Sequence, residues 1–190
     1  MSKFIQKNDQ FEVSFNPQSK RLLNVNLSKS VVESFLKRIR EEGIGVQHLE
    51  YTPYEGQVIA SYLDEVAGHD FGNMLREIVN DRETGGFTAG LEGVTEDTDE
   101  YVIFSTAIAH LVGISNFDSM TGKYYARFTV KDTDSSDSYL RQAYRLFTLH
   151  TDGTFVNEPT DWLLMMKMVE ENAVGGESRL LHLDDWSELD

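Results

Sequence analysis

The apolar positions in the first half of the chain recur at helical spacing. From Ser30 onward, Val32, Phe35, Leu36 and Ile39 fall on one helix face. Ser30-Val31-Val32-Glu33 has the form of a capping box, and Gly43 is placed to end the helix. A second helical stretch runs from about Gly56, with Val58, Ile59, Tyr62, Leu63 and Val66 on one face. After Gly68 a third face forms from Phe71, Met74, Leu75, Ile78 and Val79, and Gly85-Gly86 stops it. Such stripes predict core packing, not a ligand box. From about Phe87 the period changes to short β-branched and aromatic runs separated by polar loops, which is the pattern of sheet. The predicted strands are Phe87 to Leu91, Tyr124 to Val130, Leu146 to His150, Trp162 to Val169 and Arg179 to Leu183. Within this half Tyr101 to Ile114 reads as a buried helix, too short to cross a bilayer and interrupted by Ser105, Thr106 and His110.

These elements predict an α+β fold in a single domain over 1–190, mostly helical over 1–86 and sheet-rich over 87–190. No internal repeat and no Pro- or Ser-rich linker divides it. The closing residues Leu183-Asp184-Asp185-Trp186 follow a predicted strand and carry helix-start residues, so Asp184 and Asp185 read as caps and the domain reads as incomplete at its C-terminus.

Composition narrows the function. The 190 residues are 40% hydrophobic, enough for a sizeable core, and 17 Lys and Arg against 32 Asp and Glu give a formal charge of −15. That charge repels phosphate backbones and anionic lipid, so neither nucleic acid nor a membrane surface is an expected partner. Cysteine is absent, which excludes disulfides, thiolate metal sites and Cys nucleophiles. Met1 to Gln10 lacks an apolar signal-peptide core, and a cytoplasmic location is expected. The acidic runs Glu96 to Glu100 and Asp132 to Asp137 lack the Gly and Glu positions of a calcium-binding EF loop and read as solvated turns.

Phosphate-loop, dinucleotide and nucleophile-elbow motifs are all missing, and histidine remains as the candidate chemistry. Two of the five His lie in H-x-D tripeptides, His150-Thr151-Asp152 and His182-Leu183-Asp184. On an extended chain, residues two apart share a face, so imidazole and carboxylate can converge on one ion as two members of a two-His-one-carboxylate triad. For His150 and Asp152, at the end of an apolar strand and before a turn, a metal-ligand pair and a surface pair are equally compatible with the residues. His182 reads as a hydrogen-bonded structural residue, His110 as a core or helix-face residue, and His48 and His69 as structural.

Three segments, AHLVGISNFDSMTGKYYARFTVKDTDSSDSYLRQ (109–142), HTDGTFVNEPTDWLLMMKM (150–168) and GGESRLLHLDDW (175–186), carry a family likeness. They resemble the Fe(II)/2-oxoglutarate-dependent dioxygenases related to taurine dioxygenase, and within them the carbon-starvation-induced glutarate hydroxylases; the helical first half resembles them only loosely. The resemblance implies a double-stranded β-helix, or jelly-roll, core preceded by helices and truncated here at the C-terminus. It implies an enzyme that, in its complete form, converts glutarate to L-2-hydroxyglutarate with release of succinate and CO2, as part of lysine catabolism. The cofactors implied are Fe(II) and 2-oxoglutarate as co-substrate, with O2 consumed, in a cytoplasmic homo-oligomer, a homotetramer by the family's association. Carried over by position, His150 and Asp152 are iron ligands and Ser178 contacts a 2-oxoglutarate carboxylate, or is an ordinary turn serine. Arg127, beside Tyr125, is the best-placed cation for the substrate, or a solvated strand residue. The third iron ligand and the Arg for the far carboxylate of 2-oxoglutarate are expected beyond Asp190. A sibling dioxygenase for another small acid and a non-catalytic interaction module are the competing readings.

Overall fold

A computed structural model describes residues 3–91, 93–118, 121–129, 148–152, 157, 159–172, 174 and 177–188. The first elements are strands. β1 (Gln6–Lys7), β2 (Phe11–Asn16) and β3 (Ser19–Leu27) form an antiparallel run, and β4 (Gly86–Thr88) joins it parallel to β3, giving the order β1-β2-β3-β4. The β2–β3 register pairs Phe11 with Leu27, Val13 with Val25 and Phe15 with Leu23, then shifts at Asn16, which pairs with Ser19. Asn16 tightens the turn by accepting the Gln18 amide on its side-chain oxygen at 2.9 Å. Phe11, Val13, Leu23 and Val25, spaced two apart along their strands, are buried on one face, while Phe15 at the turn end is exposed. The sequence pattern did not single out this hairpin, which precedes the helices of the first half.

Among the described residues four α-helices share one core with the sheet's buried face: α1 (Lys29–Glu41), α2 (Pro53–Ala67), α3 (Phe71–Asn80) and α4 (Thr98–Val112). The N-cap of α1 is Ser28, two residues before the predicted capping box, and it makes no side-chain cap bond. The predicted stop is in place. Gly43 has φ +66°, its amide bonds the Arg40 carbonyl and the Ile44 amide bonds the Ile39 carbonyl, the paired closure of a Schellman end. α2 starts at Pro53, whose missing amide proton is no loss in the first turn. Its buried stripe is Gly56, Ile59, Ala60, Leu63 and Ala67, so Tyr62 and Val66 fall on the flank of the predicted face. There the Arg38 guanidinium lies over the Tyr62 ring at 3.7 Å.

α4 is the predicted buried helix, and it is apolar nearly all round because α2 and α3 both pack on it. Phe104 meets Phe35 edge-on with centroids 6.4 Å apart, and Phe11 meets Phe71 at 5.2 Å. The acidic run 96–100 is a helix start and not simply a solvated turn. Asp97 is the N-cap, accepting the Asp99 amide at 2.8 Å; Asp99 and Glu100 lie in the first turn, where the helix dipole favours carboxylates. Glu100 is buried and paired through Oε1 with Arg40 Nη2 at 2.5 Å, tying α1 to α4.

Of the predicted strands, only the first coincides with a ladder, at β4. Among the described residues, 124–129, 148–150, 162–169 and 179–182 join no strand and Leu183 starts a 3-10 turn; residues 130 and 146–147 and the run 132–137 lie outside the described residues. Their β-prone composition meets no partner here with which to exchange backbone hydrogen bonds. These stretches are held to the helical half by single side-chain and backbone contacts. Trp162 Nε1 donates to the Val79 carbonyl at 3.3 Å, and the 121–127 loop docks through the Tyr124 amide onto the Glu50 carbonyl at 3.0 Å.

Asp184 and Asp185 are not the helix caps expected of them. His182 caps the short 3-10 turn Leu183–Asp185, while Asp184 takes a two-pronged bond from Arg82 (Nε 2.8 Å, Nη2 2.5 Å) and Asp185 another from Arg21 (Nε 3.0 Å, Nη2 2.7 Å). These contacts clasp the tail to β3 and to the turn before β4. The Arg82 bond holds the Asp184 carboxyl down at about 2, and the Arg21 bond lowers that of Asp185.

Candidate functional site

The two H-x-D tripeptides look alike in sequence and differ in chemistry. At His150, Nδ1 lies 2.8 Å from the Thr148 carbonyl, and a carbonyl only accepts, so Nδ1 carries the proton. In a neutral ring Nε2 then holds the lone pair, and it faces Asp152 Oδ1 at 3.4 Å. Two ligands at right angles on one ion, each at the roughly 2.1 Å typical of nitrogen and oxygen donors, stand about 3 Å apart. The pair therefore fits a shared cation with little adjustment. Both side chains are about half exposed, 42% and 51%, so the position is open to solvent and small ligands.

At His182 the roles are reversed. Nδ1 accepts the Asp184 amide at 3.1 Å, so its lone pair is used, and both Asp184 oxygens are taken by Arg82. That arrangement suits a structural turn and leaves no carboxylate to share with an ion. Among the described residues no three His, Asp or Glu side chains converge as a metal-binding group, so the His150–Asp152 pair supplies two ligands and not a complete set.

His48 Nδ1 accepts the Gly45 amide at 2.9 Å, and His69 is exposed between α2 and α3. His110 is buried on α4 with Nδ1 donating to the Thr106 carbonyl at 2.9 Å, and burial pushes its pKa down. Its ring fills the space over Gly56, where a Cβ would come within 2.5 Å.

Arg127 and Tyr125 come together, the guanidinium 5.9 Å from the ring centroid. They line an open groove with Lys123, Glu50 and Asp99. Arg127 is not a freely solvated strand residue: its Nη2 donates to Asp99 Oδ1 at 2.6 Å. Glu50 is the hub of the other end, receiving Lys123 Nζ at 2.6 Å and the Tyr125 hydroxyl at 3.1 Å, with its side chain only 17% exposed. The Lys123 bond draws the Glu50 pKa down; burial, helped by the bond to Glu50, pushes that of Tyr125 up. Sequence reasoning missed Lys123, Glu50 and Asp99. Lys123 was findable, because it alternates in sequence with Tyr125 and Arg127, a spacing that shares a face wherever a chain is extended. Glu50 and Asp99 meet that segment only through tertiary packing. Ser178 is exposed on a third stretch, ahead of the clasped tail.

Comparison with known proteins extends the likeness well beyond the segments that first suggested it. The curated protein named "Glutarate 2-hydroxylase" from Klebsiella pneumoniae is 44% identical over 182 residues, covering 95% of this chain and 55% of that protein. The protein of the same name from Citrobacter koseri is 46% identical over 175 residues, covering 91% and 53% respectively. The chain thus spans about half the length of the curated relatives it matches. The similarity takes in the helical half, which the sequence alone tied to the family only loosely. With a family model matching residues 11–190, the chain belongs to the CsiD family.

Proposed function

We propose that this chain carries part of the active site of an Fe(II)/2-oxoglutarate-dependent hydroxylase acting on glutarate, with His150 and Asp152 as two of the iron's protein ligands. The observation that carries the reading is the His150 ring: its Nδ1–H is fixed on the Thr148 carbonyl and its Nε2 faces the Asp152 carboxylate at 3.4 Å. Supporting it, the relatives matched over nearly the whole chain bear the name glutarate 2-hydroxylase. Ferrous iron, when bound, would supply the oxidative decarboxylation of 2-oxoglutarate to succinate and CO2 by O2, one oxygen atom going to succinate and the other to the hydroxyl placed on C2 of glutarate.

The chain's own residues orient. The Thr148 carbonyl holds the imidazole in its ligand tautomer, and Asp152 sets the charge beside it. Ser178 offers a hydroxyl to a 2-oxoglutarate carboxylate, and Arg127, with Tyr125 packed beside it, receives the carboxylate of glutarate remote from the reacting carbon. The reading includes a jelly-roll core completed by polypeptide beyond the matched half, a place in lysine catabolism, and a cytoplasmic oligomer, a tetramer in the resemblance. No helix among the described residues is long and apolar enough to cross a membrane.

The test is retention of Fe(II), or Ni(II) as an inert surrogate, by the purified chain in the presence of 2-oxoglutarate. Wild type is expected to retain the metal more weakly than a three-ligand centre, and His150→Ala is expected to lose at least tenfold in affinity while its circular dichroism is unchanged. Equal metal retention by the two forms would refute the assignment. Succinate release across a panel of diacids, measured on a polypeptide spanning the full length of the relatives, separates glutarate from a sibling substrate. No release with any diacid there would favour a non-catalytic module.

A further inference from the structure

We propose that Asp99 is a resident stand-in for a substrate carboxylate. In the free protein it occupies the Arg127 guanidinium, and a dicarboxylate such as glutarate enters the groove by taking its place. The inference rests on the assignment of Arg127 to the substrate, made above.

Three observations support exchange at this position. The first is the form of the contact. Arg127 reaches Asp99 through Nη2 alone, at 2.6 Å, whereas Arg82 and Arg21 in the same molecule each grip an aspartate with two prongs. A guanidinium matches a carboxylate best when both oxygens are engaged, so an incoming carboxylate has a better geometry available than the one it displaces. The second is the environment of Asp99. Its side chain is 52% exposed and lies in the first turn of α4, where the positive end of the helix stabilises a carboxylate whether or not Arg127 is present. Release therefore exposes no unsatisfied charge.

The third observation is the contrast with the neighbouring cation. Lys123 is held by Glu50, which is 17% exposed and also receives the Tyr125 hydroxyl, so separating that pair would strand a largely enclosed carboxylate. The groove thus has one locked cation and one exchangeable cation. In a chain of net charge −15, an internal carboxylate on the exchangeable one suppresses adventitious anions and favours a ligand able to make the two-pronged contact.

The experiment is a calorimetric titration of glutarate into wild type, Asp99→Asn, Arg127→Gln and Glu96→Gln. The last removes a nearby exposed carboxylate that is not bonded to Arg127, and controls for net charge. A half-exposed ion pair is worth little, so Asp99→Asn is expected to tighten glutarate binding by roughly two- to fivefold. Glu96→Gln should match wild type and Arg127→Gln should lose binding. Binding that survives Arg127→Gln, or its absence from all four proteins, overturns the assignment of Arg127 and the exchange with it. Arg127-dependent binding that Asp99→Asn tightens no more than Glu96→Gln overturns the exchange alone.

Discussion

An imidazole has two nitrogens, and the partner of one fixes the work of the other. His150 donates its Nδ1–H to a carbonyl and turns Nε2 toward Asp152; His182 uses Nδ1 to accept an amide and its carboxylate neighbour goes to Arg82. The tripeptide pattern identified both as candidates and could not rank them by geometry, because a backbone hydrogen bond and an arginine 102 residues away decide the matter. The same blindness hid Gly56, which the sequence offered only as a helix start. There the glycine lets α4 lay His110 against α2, with a Cβ position 2.5 Å from Cε1 and Nε2 of the ring. Gly56→Ala is therefore expected to cost about 1–3 kcal/mol through overpacking, against about 1 kcal/mol regained in helix propensity, for a net destabilisation of up to about 2 kcal/mol. Urea denaturation of Gly56→Ala, His110→Ala and the double variant would show the clash as a coupling between the two sites; additive effects would show the crossing to be looser than described.

At the scale of the element, helices were legible because their buried stripes are long. Val32, Phe35, Leu36 and Ile39 in α1, and Phe71, Met74, Leu75 and Ile78 in α3, are buried as the spacing predicts. The β2–β3 hairpin was also written in the sequence, in Phe11, Val13 and Phe15 and in Leu23, Val25 and Leu27, but each run is short and its pairing is fixed only by the partner. The later strand assignments failed for the opposite reason: β-prone residues such as Trp162 to Val169 were present, and a ladder among the described residues was not. Gly43 is the clearest boundary signal. Its φ of +66° is strained for any side chain, while a Cβ there meets nothing within 4 Å, so Gly43→Ala isolates the backbone term. It is expected to lower unfolding free energy by about 1 kcal/mol in equilibrium denaturation, with no change in the m-value.

Over the whole molecule, ion pairs link parts far apart in the chain: Arg40 to Glu100, Arg127 to Asp99, Lys123 to Glu50, and the two arginines of the tail clasp. None was legible from the sequence, since charge patterning speaks only of near neighbours. The clasp has a definite pH dependence. Asp184 is held below its ordinary 3.8, at about 2, and Asp185 is lowered as well; a depressed carboxylate contributes fully above the unfolded value and loses its contribution as pH falls through the folded one. Residues 177–188 should stay protected from hydrogen exchange, relative to an Arg21→Gln/Arg82→Gln double variant, down to about pH 4, and the difference between the two proteins should vanish toward pH 2. A difference undiminished at pH 2 would show that the aspartates are not what holds the tail. Both pairs lie within reach of solvent, and the Debye length falls from about 10 Å at 0.1 M to about 3 Å at 1 M. Added salt is thus the gentlest solvent lever on this fold: it frees the tail from its moorings while Phe35, Phe71 and Phe104, shielded from ions, keep their places.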